Sequence, residues 1–423
     1  MTNRSKLAAM HELFIRLVDD CGKTTIGKGR LRRIANTDKI IKVFPLGVLG
    51  LWGWKVKSTK LGLWGFGSIT GGTVPGFVNG GFMGVKPGKL AGTIGLKIFQ
   101  VASIIFVDSP VGTGFSYSIS SQGHQTGDFK KTSKQLYQFL TKWMFDHPEF
   151  LNNHFYVAGD SYSGKIVPLV AKEISNGNEA GNGLVINLKG YLLGNPVTDL
   201  AFDRNKIVPF CHGMGLIPDE LYESLKRSCG GNYIQIEPTN VQCLKDMQSF
   251  HKCISGLNPY QILEPLCVFV SSKPKEMVGD RRSISQNYYK ILDPQPPIPA
   301  IGCRNYGYLL AYYWTNDIRV QNALHIQKVS NEKWQRCKYD LPYLFQVQSS
   351  IPYHAFLSKK GYPSLIYSGD HDMVVPFLAT EAWIKSLNYS VVDEWRSWIV
   401  DGQIGGYTRT YSNHMTYATV KAR

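Results

Sequence analysis

The sequence predicts an α/β domain with a mostly parallel sheet, interrupted by a helical, disulfide-bearing insertion. Three observations predict it. From residue 101, short apolar runs alternate with amphipathic helical stretches, the order of a parallel sheet with helical crossovers. One run passes into a helix through a glycine-flanked serine, GDSYSGKIVP (159–168). The rhythm then breaks between residues 200 and 345, where most cysteines and the proline run DPQPPIPA (293–300) collect.

The strand VASIIFVD (101–108) is rich in β-branched residues and ends in Ser-Pro-Val-Gly. TGDFKKTSKQLYQFLTKWMFDHPEF (126–150) places Leu136, Phe139, Leu140 and Trp143 on one helical face and stops before Pro148. HFYVAGDS (154–161) is a second strand. KIVPLVAKEIS (165–175) is a helix with Pro168 in its first turn, where a missing N–H costs little. INLKGYLLGNP (186–196) is a third strand. Within the insertion, DELYESLKRSC (219–229) and NDIRVQNALHI (316–326) read as helices. The pattern returns with the strand in PSLIYSGDHDMVVP (363–376), the helix TEAWIKSL (380–387) and a terminal hairpin, GYTRTYS (406–412) and MTYATV (415–420). Before residue 100 neither period persists, and glycine is too dense for an element to be assigned.

At 423 residues, 43% hydrophobic and 12% aromatic, the chain can bury a sizeable core. No apolar run approaches the ~20 residues of a membrane span. The net charge of +16 suggests an anionic partner, but it is uneven: residues 1–100 hold 16 Lys and Arg against 4 acids, and the rest 31 against 27. No nucleic-acid motif accompanies this basic excess, so neither a nucleic-acid nor a membrane partner is expected. Six of the eight cysteines fall between Cys211 and Cys303, and none forms a CxxC pair. That favours disulfides in an oxidising compartment over a metal site. The sequon Asn388-Tyr389-Ser390 agrees, although no signal peptide is visible at the N-terminus.

A serine hydroxyl needs a base, an acid to orient that base, and donors for the oxyanion. The α/β-hydrolase solution seats the serine on a tight strand-to-helix turn flanked by small residues. Ser161, with Gly159 and Gly164, meets that description in relaxed form, since Ser163 stands where the strict pattern has glycine. The acid should follow at the end of a later strand. Asp372 is the expected orienting acid, and Asp370 the structural one. The base is harder to place. His414 precedes the last strand instead of following it, and His371 lies beside the acid on the wrong side of a tight turn.

Together GDSYSGKIVP, IIFVDSPVGTGFSYS (104–118), TKWMFDHPEF (141–150), YLLGNPVTD (191–199) and YSGDHDMVVPFLATEAWIKSLNYSVVDEW (367–395) resemble the serine carboxypeptidases, and more closely the plant serine carboxypeptidase-like proteins. The resemblance runs over residues 99–421. It implies an α/β-hydrolase fold, Ser161 as nucleophile, Asp372 as triad acid and the Tyr162 N–H as an oxyanion donor. Asp160, where carboxypeptidases usually carry Glu, resembles the acyltransferase branch, which passes an acyl group from a glucose ester to an alcohol or amine. Asp160 is then a substrate-binding residue. Hydrolysis of C-terminal peptide bonds is the alternative. No metal or organic cofactor is implied. The insertion's expected disulfides are Cys229–Cys243 and Cys267–Cys303, with Asn388 a glycosylation site and a secreted or vacuolar location. The chain departs from the family at both ends. A WLxGGPGCSS motif is not found, TGGTVPG (70–76) being a faint echo, so Cys337 lacks its expected partner. A GGGHTAPEY-like segment with the catalytic histidine does not follow MTYATV. Residues 1–98 are therefore expected to stand outside a fold incomplete at both ends. The chain as written is expected to catalyse little, at most acting as a binding protein.

Overall fold

The computed structural model describes residues 40–46, 102–118, 127–181, 183–265, 306–324, 326, 333–335, 341, 343–344, 346–400 and 402–421. The strands among them are β1 Ile40–Leu46, β2 Ala102–Asp108, β3 Gly127–Asp128, β4 Phe155–Asp160, β5 Leu188–Gly194, β6 Tyr343–Leu344, β7 Ser364–Gly369, β8 Val391–Val400, β9 Gln403–Tyr411 and β10 Met415–Val420. Eight form one sheet in the order β2-β1-β4-β5-β7-β10-β9-β8, and β3 pairs with β6. Neighbours from β2 to β10 are parallel, and β9 and β8 add antiparallel. The helices are α1 Phe129–Asp146, α2 Val167–Ala180, α3 Leu200–Asn205, α4 Ile207–Gly213, α5 Asp219–Cys229, α6 Val241–Ile254, α7 Tyr306–Thr315, α8 Ile318–Ala323, α9 Ile351–Lys359 and α10 Phe377–Ser386.

The central strands read from sequence are covered on both faces, while β9, read from its alternation, is only partly covered. β4 and β7 are buried along almost their whole length, as parallel strands between helical layers must be. Phe155, Val157, Leu193, Ile366, Met415 and Tyr417 form the core there with Val167, Val170 and Ile174 of α2. β8 is mostly exposed and carries Asp393, Glu394 and Arg396 in its middle, so it gives no apolar signal. It also bulges against β9 at several points, which blunts a sheet edge.

Two expectations change. The buried stripe of α1 is Phe129, Thr132, Ser133, Leu136, Leu140 and Met144, while Phe139 is exposed and Trp143 only partly covered. The i, i+4 row through Leu136, Leu140 and Met144 faces the sheet, and Phe139 lies off that row. The second change concerns β1. Seven residues before residue 98 enter the sheet, Ile40–Leu46 pairing in parallel with β2 and β4. The expected helix over 165–175 is α2, with Pro168 in its first turn and Gly181 at its C-terminal end at φ +65°. The insertion carries the Cys229–Cys243 disulfide, joining α5 to α6. Cys211 is a buried free thiol and Cys253 an exposed one. Cys267, Cys303, Cys337, the proline run and TGGTVPG lie outside the described residues.

Candidate active site

The parallel strands bring their carboxyl ends to one edge of the sheet. The register pairs Asp160 with Gly194, Gly194 with Tyr367, and Gly369 with Val420. Ser161 and the loop after β7 therefore share that edge, with only β5 between them.

At the elbow, Asp160 closes β4 in extended backbone, and Ser161 turns to φ +53° before the short helical run Ser161–Lys165. A positive φ on a non-glycine residue is strained, and a strand-to-helix turn that presents a side chain at a sheet edge needs it. Both glycines are needed because atoms approach closely. A Cβ on Gly159 would meet Ser163 Cβ at 2.5 Å, and one on Gly164 would meet the Val197 carbonyl oxygen at 2.6 Å and Pro196 Cβ at 2.7 Å. The Ser161 carbonyl accepts from Val197 N–H at 2.8 Å. Tyr162 is the second residue of the run, within its first turn, where backbone N–H groups have no intrahelical acceptor. Its ring is buried against Phe129, and desolvation pushes its phenol far above the usual range.

Asp372 is 9% exposed, and its Oδ1 accepts from the amides of Val374 at 2.8 Å and Val375 at 3.1 Å. Its backbone is clamped by the insertion: Met373 N–H donates to Pro259 O at 2.9 Å, and Ile262 N–H donates to His371 O at 3.1 Å. Asp370 ties the loop to β10 through its N–H to Val420 O, and its carboxylate lies 2.7 Å from His371 Nδ1. His414 sits at the opposite edge. Its carbonyl accepts from Ser364 N–H at the start of β7, and Met415 pairs with Ser364. A six-residue strand, roughly 20 Å long, separates it from the acid loop. His414 is not the base of this site.

Sequence reasoning missed the underside of the elbow. Lys165 is 5% exposed, and its Nζ donates to the carbonyls of Thr198 and Gln348, both at 2.6 Å. Asp203 Oδ2 accepts from the amides of Thr198 at 2.9 Å and Asp199 at 3.2 Å. Burial pushes the Asp203 carboxyl up to about 7 and the Lys165 ammonium downward. His354 is fully buried between Tyr191, whose OH lies 2.9 Å from Nδ1, and Trp383. Burial first, and the Lys165 charge second, push it down to about 3. The only sequence signal was a lysine inside an apolar helical start.

A family model described as serine carboxypeptidase matches residues 99–422. The chain is 48% identical over 322 residues to serine carboxypeptidase-like 2 of Arabidopsis thaliana, covering 76% of this chain and 66% of that protein. It is 49% identical over 326 residues to serine carboxypeptidase-like 11 of the same plant, covering 76% and 67%. The chain thus spans about two thirds of the length of these relatives. Among solved structures it is similar to Kex1(delta)p, a prohormone-processing carboxypeptidase from Saccharomyces cerevisiae, at a TM-score of 0.57 and 16% identity over 91% of this chain and 78% of that one. That likeness establishes the shared α/β fold, and the family match and the plant relatives establish the rest: the chain belongs to the serine carboxypeptidase family.

Proposed function

We propose that the protein works by acyl transfer through an acyl-serine on Ser161, taking the acyl group from a glucose ester and passing it to an alcohol or amine. The observation that carries this reading is the elbow, a serine at φ +53° between a parallel strand and a helix, one strand away from Asp372. Ser161 Oγ attacks the ester carbonyl and the Tyr162 N–H stabilises the oxyanion. Asp372 orients the base, and Asp160 faces the substrate. β10 runs toward the acid loop, where the Val420 carbonyl accepts from the Asp370 N–H. The Cys229–Cys243 disulfide and the exposed Asn388 support a secreted or vacuolar setting.

Peptide hydrolysis uses the same acyl-serine with water as the second nucleophile, and the family's name favours it. Incubation with a 1-O-acylglucose and an acceptor, and separately with a blocked dipeptide, decides between them. Acylated acceptor is the product expected where a base is supplied to Ser161, and the chain as written is expected to give little of it. Turnover of the dipeptide alone overturns the acyl-transfer reading. Turnover of neither, with Ser161 inert to a fluorophosphonate, makes the protein a binding protein of the same fold.

A further inference from the structure

The sheet order places β5 between the strand that carries Ser161 and the strand that leads to Asp372. The residues just after β5 touch both. Val197 N–H holds the Ser161 carbonyl at 2.8 Å. Two residues earlier, Asn195 adopts φ +38°, a backbone asparagine tolerates better than most side chains. Its N–H donates to Tyr367 O at 2.8 Å. Its Oδ1 accepts from Gly369 N–H at 3.1 Å, and its Nδ2 donates to Val375 O at a longer 3.4 Å. The side chain therefore grips the acid loop on both sides of Asp372, and the same short segment grips the elbow. Only a side chain with an acceptor and a donor on one planar group makes both loop contacts.

We propose that Asn195 is a positioning residue that fixes the acid loop relative to the nucleophile elbow. This rests on the reading that Ser161 and Asp372 are the reacting pair. The steric contacts of Gly164 with Pro196 and Val197 lock one end of the segment. Asn195 is its other, hydrogen-bonded end. It touches no substrate in this scheme and acts through the geometry of Asp372.

Two variants test it. Asn195→Gly keeps the left-handed backbone and removes both side-chain bonds. Asn195→Asp keeps the acceptor for Gly369 and replaces the donor facing Val375 O. Amide exchange is read on peptides spanning 366–376 and 158–166, and the pH profile of fluorophosphonate labelling is read on Ser161. Exchange of the 366–376 peptide should speed by about tenfold or more in Asn195→Gly and by less in Asn195→Asp. The pH profile of labelling should move in the same graded order. Unchanged exchange of that peptide in both variants would overturn the proposal and leave Asn195 a turn residue. If the unaltered protein does not label, the reactive-serine reading fails, while the exchange data still decide the coupling. If Asn195→Gly does not fold, Asn195→Asp carries the same comparison.

Discussion

The elbow and the acid loop lie on the same sheet edge and are held by different forces. The elbow is fixed by contact. Gly159 and Gly164 have no room for a Cβ, and Ser161 is forced into left-handed backbone between them. The acid loop is fixed by hydrogen bonds: the amides of Val374 and Val375 to Asp372, Gly369 to Asn195, and the insertion to Met373 and His371. Steric exclusion is unforgiving and local, so one methyl should break the elbow. A hydrogen-bonded loop loses its members one at a time, so its failures should be graded.

The largest expected effect is therefore Gly164→Ala. The new methyl would sit 2.6 Å from the Val197 carbonyl oxygen, which is backbone, and the next carbonyl along, Thr198 O, accepts from the Lys165 ammonium. A destabilisation of about 3 kcal/mol is expected, with fluorophosphonate labelling of Ser161 lost. A Gly164→Ala protein with an unchanged melting midpoint and normal labelling would show that the elbow yields, and the contrast with the acid loop would collapse.

The underside of the elbow supplies the second test, because its charges oppose each other. His354 stays neutral in the fold down to about 3, whereas an unfolded histidine takes a proton near about 6.5. Its contribution to stability is lost as pH falls through that window. Asp203 keeps its proton in the fold up to about 7, whereas an unfolded aspartate ionises near about 3.9. Its contribution is present at low pH and lost as pH rises through that window. Between about pH 4 and 6.5 the two slopes largely cancel. Removing one partner should expose the other. His354→Gln should lose stability as pH rises, and Asp203→Asn should gain it, each by up to about 1.4 kcal/mol per pH unit. Thermal midpoints taken across that range check both signs. Parallel curves for the two variants would show that these groups do not titrate as their burial requires.

What the sequence revealed follows the same division. Glycines at a strand-to-helix junction and continuous apolar strands announce steric requirements, so the elbow, β4, β5 and β7 were legible, while the Cys229–Cys243 bridge followed from the clustering of cysteines in the insertion. Hydrogen-bonded partners distant in the chain leave no pattern. Asn195 stood at the end of the run read as the third strand, and Lys165 finds its partners at Thr198 and Gln348 only once the sheet is assembled. β1 was missed because its seven residues stand among sequence with no periodicity, and β8 because its middle is charged and its face exposed. His414 was legible as preceding its strand, and the register puts Met415 opposite Ser364, at the end of the sheet away from the acid loop.

The smallest expected stability change is also the most informative about Asp372. Its Oδ1 satisfies one partly buried amide and one buried amide, so part of its role is structural and does not depend on charge. Asp372→Ala leaves the Val374 and Val375 N–H groups without that acceptor and should cost about 2 kcal/mol. Asp372→Asn preserves a carbonyl oxygen in the same place, so its melting midpoint should change by less than about 1 kcal/mol equivalent. On the proposed reading, both variants remove the negative charge that orients a base and stabilises its protonated form. Ser161 labelling and acyl transfer should therefore fall together in both, whatever the difference in stability. Asp372→Asn that keeps normal turnover would reduce Asp372 to a loop-holding residue and return the role of acid to its neighbour Asp370. That outcome would make the acid loop a scaffold like the elbow's underside, held by hydrogen bonds but remote from the chemistry.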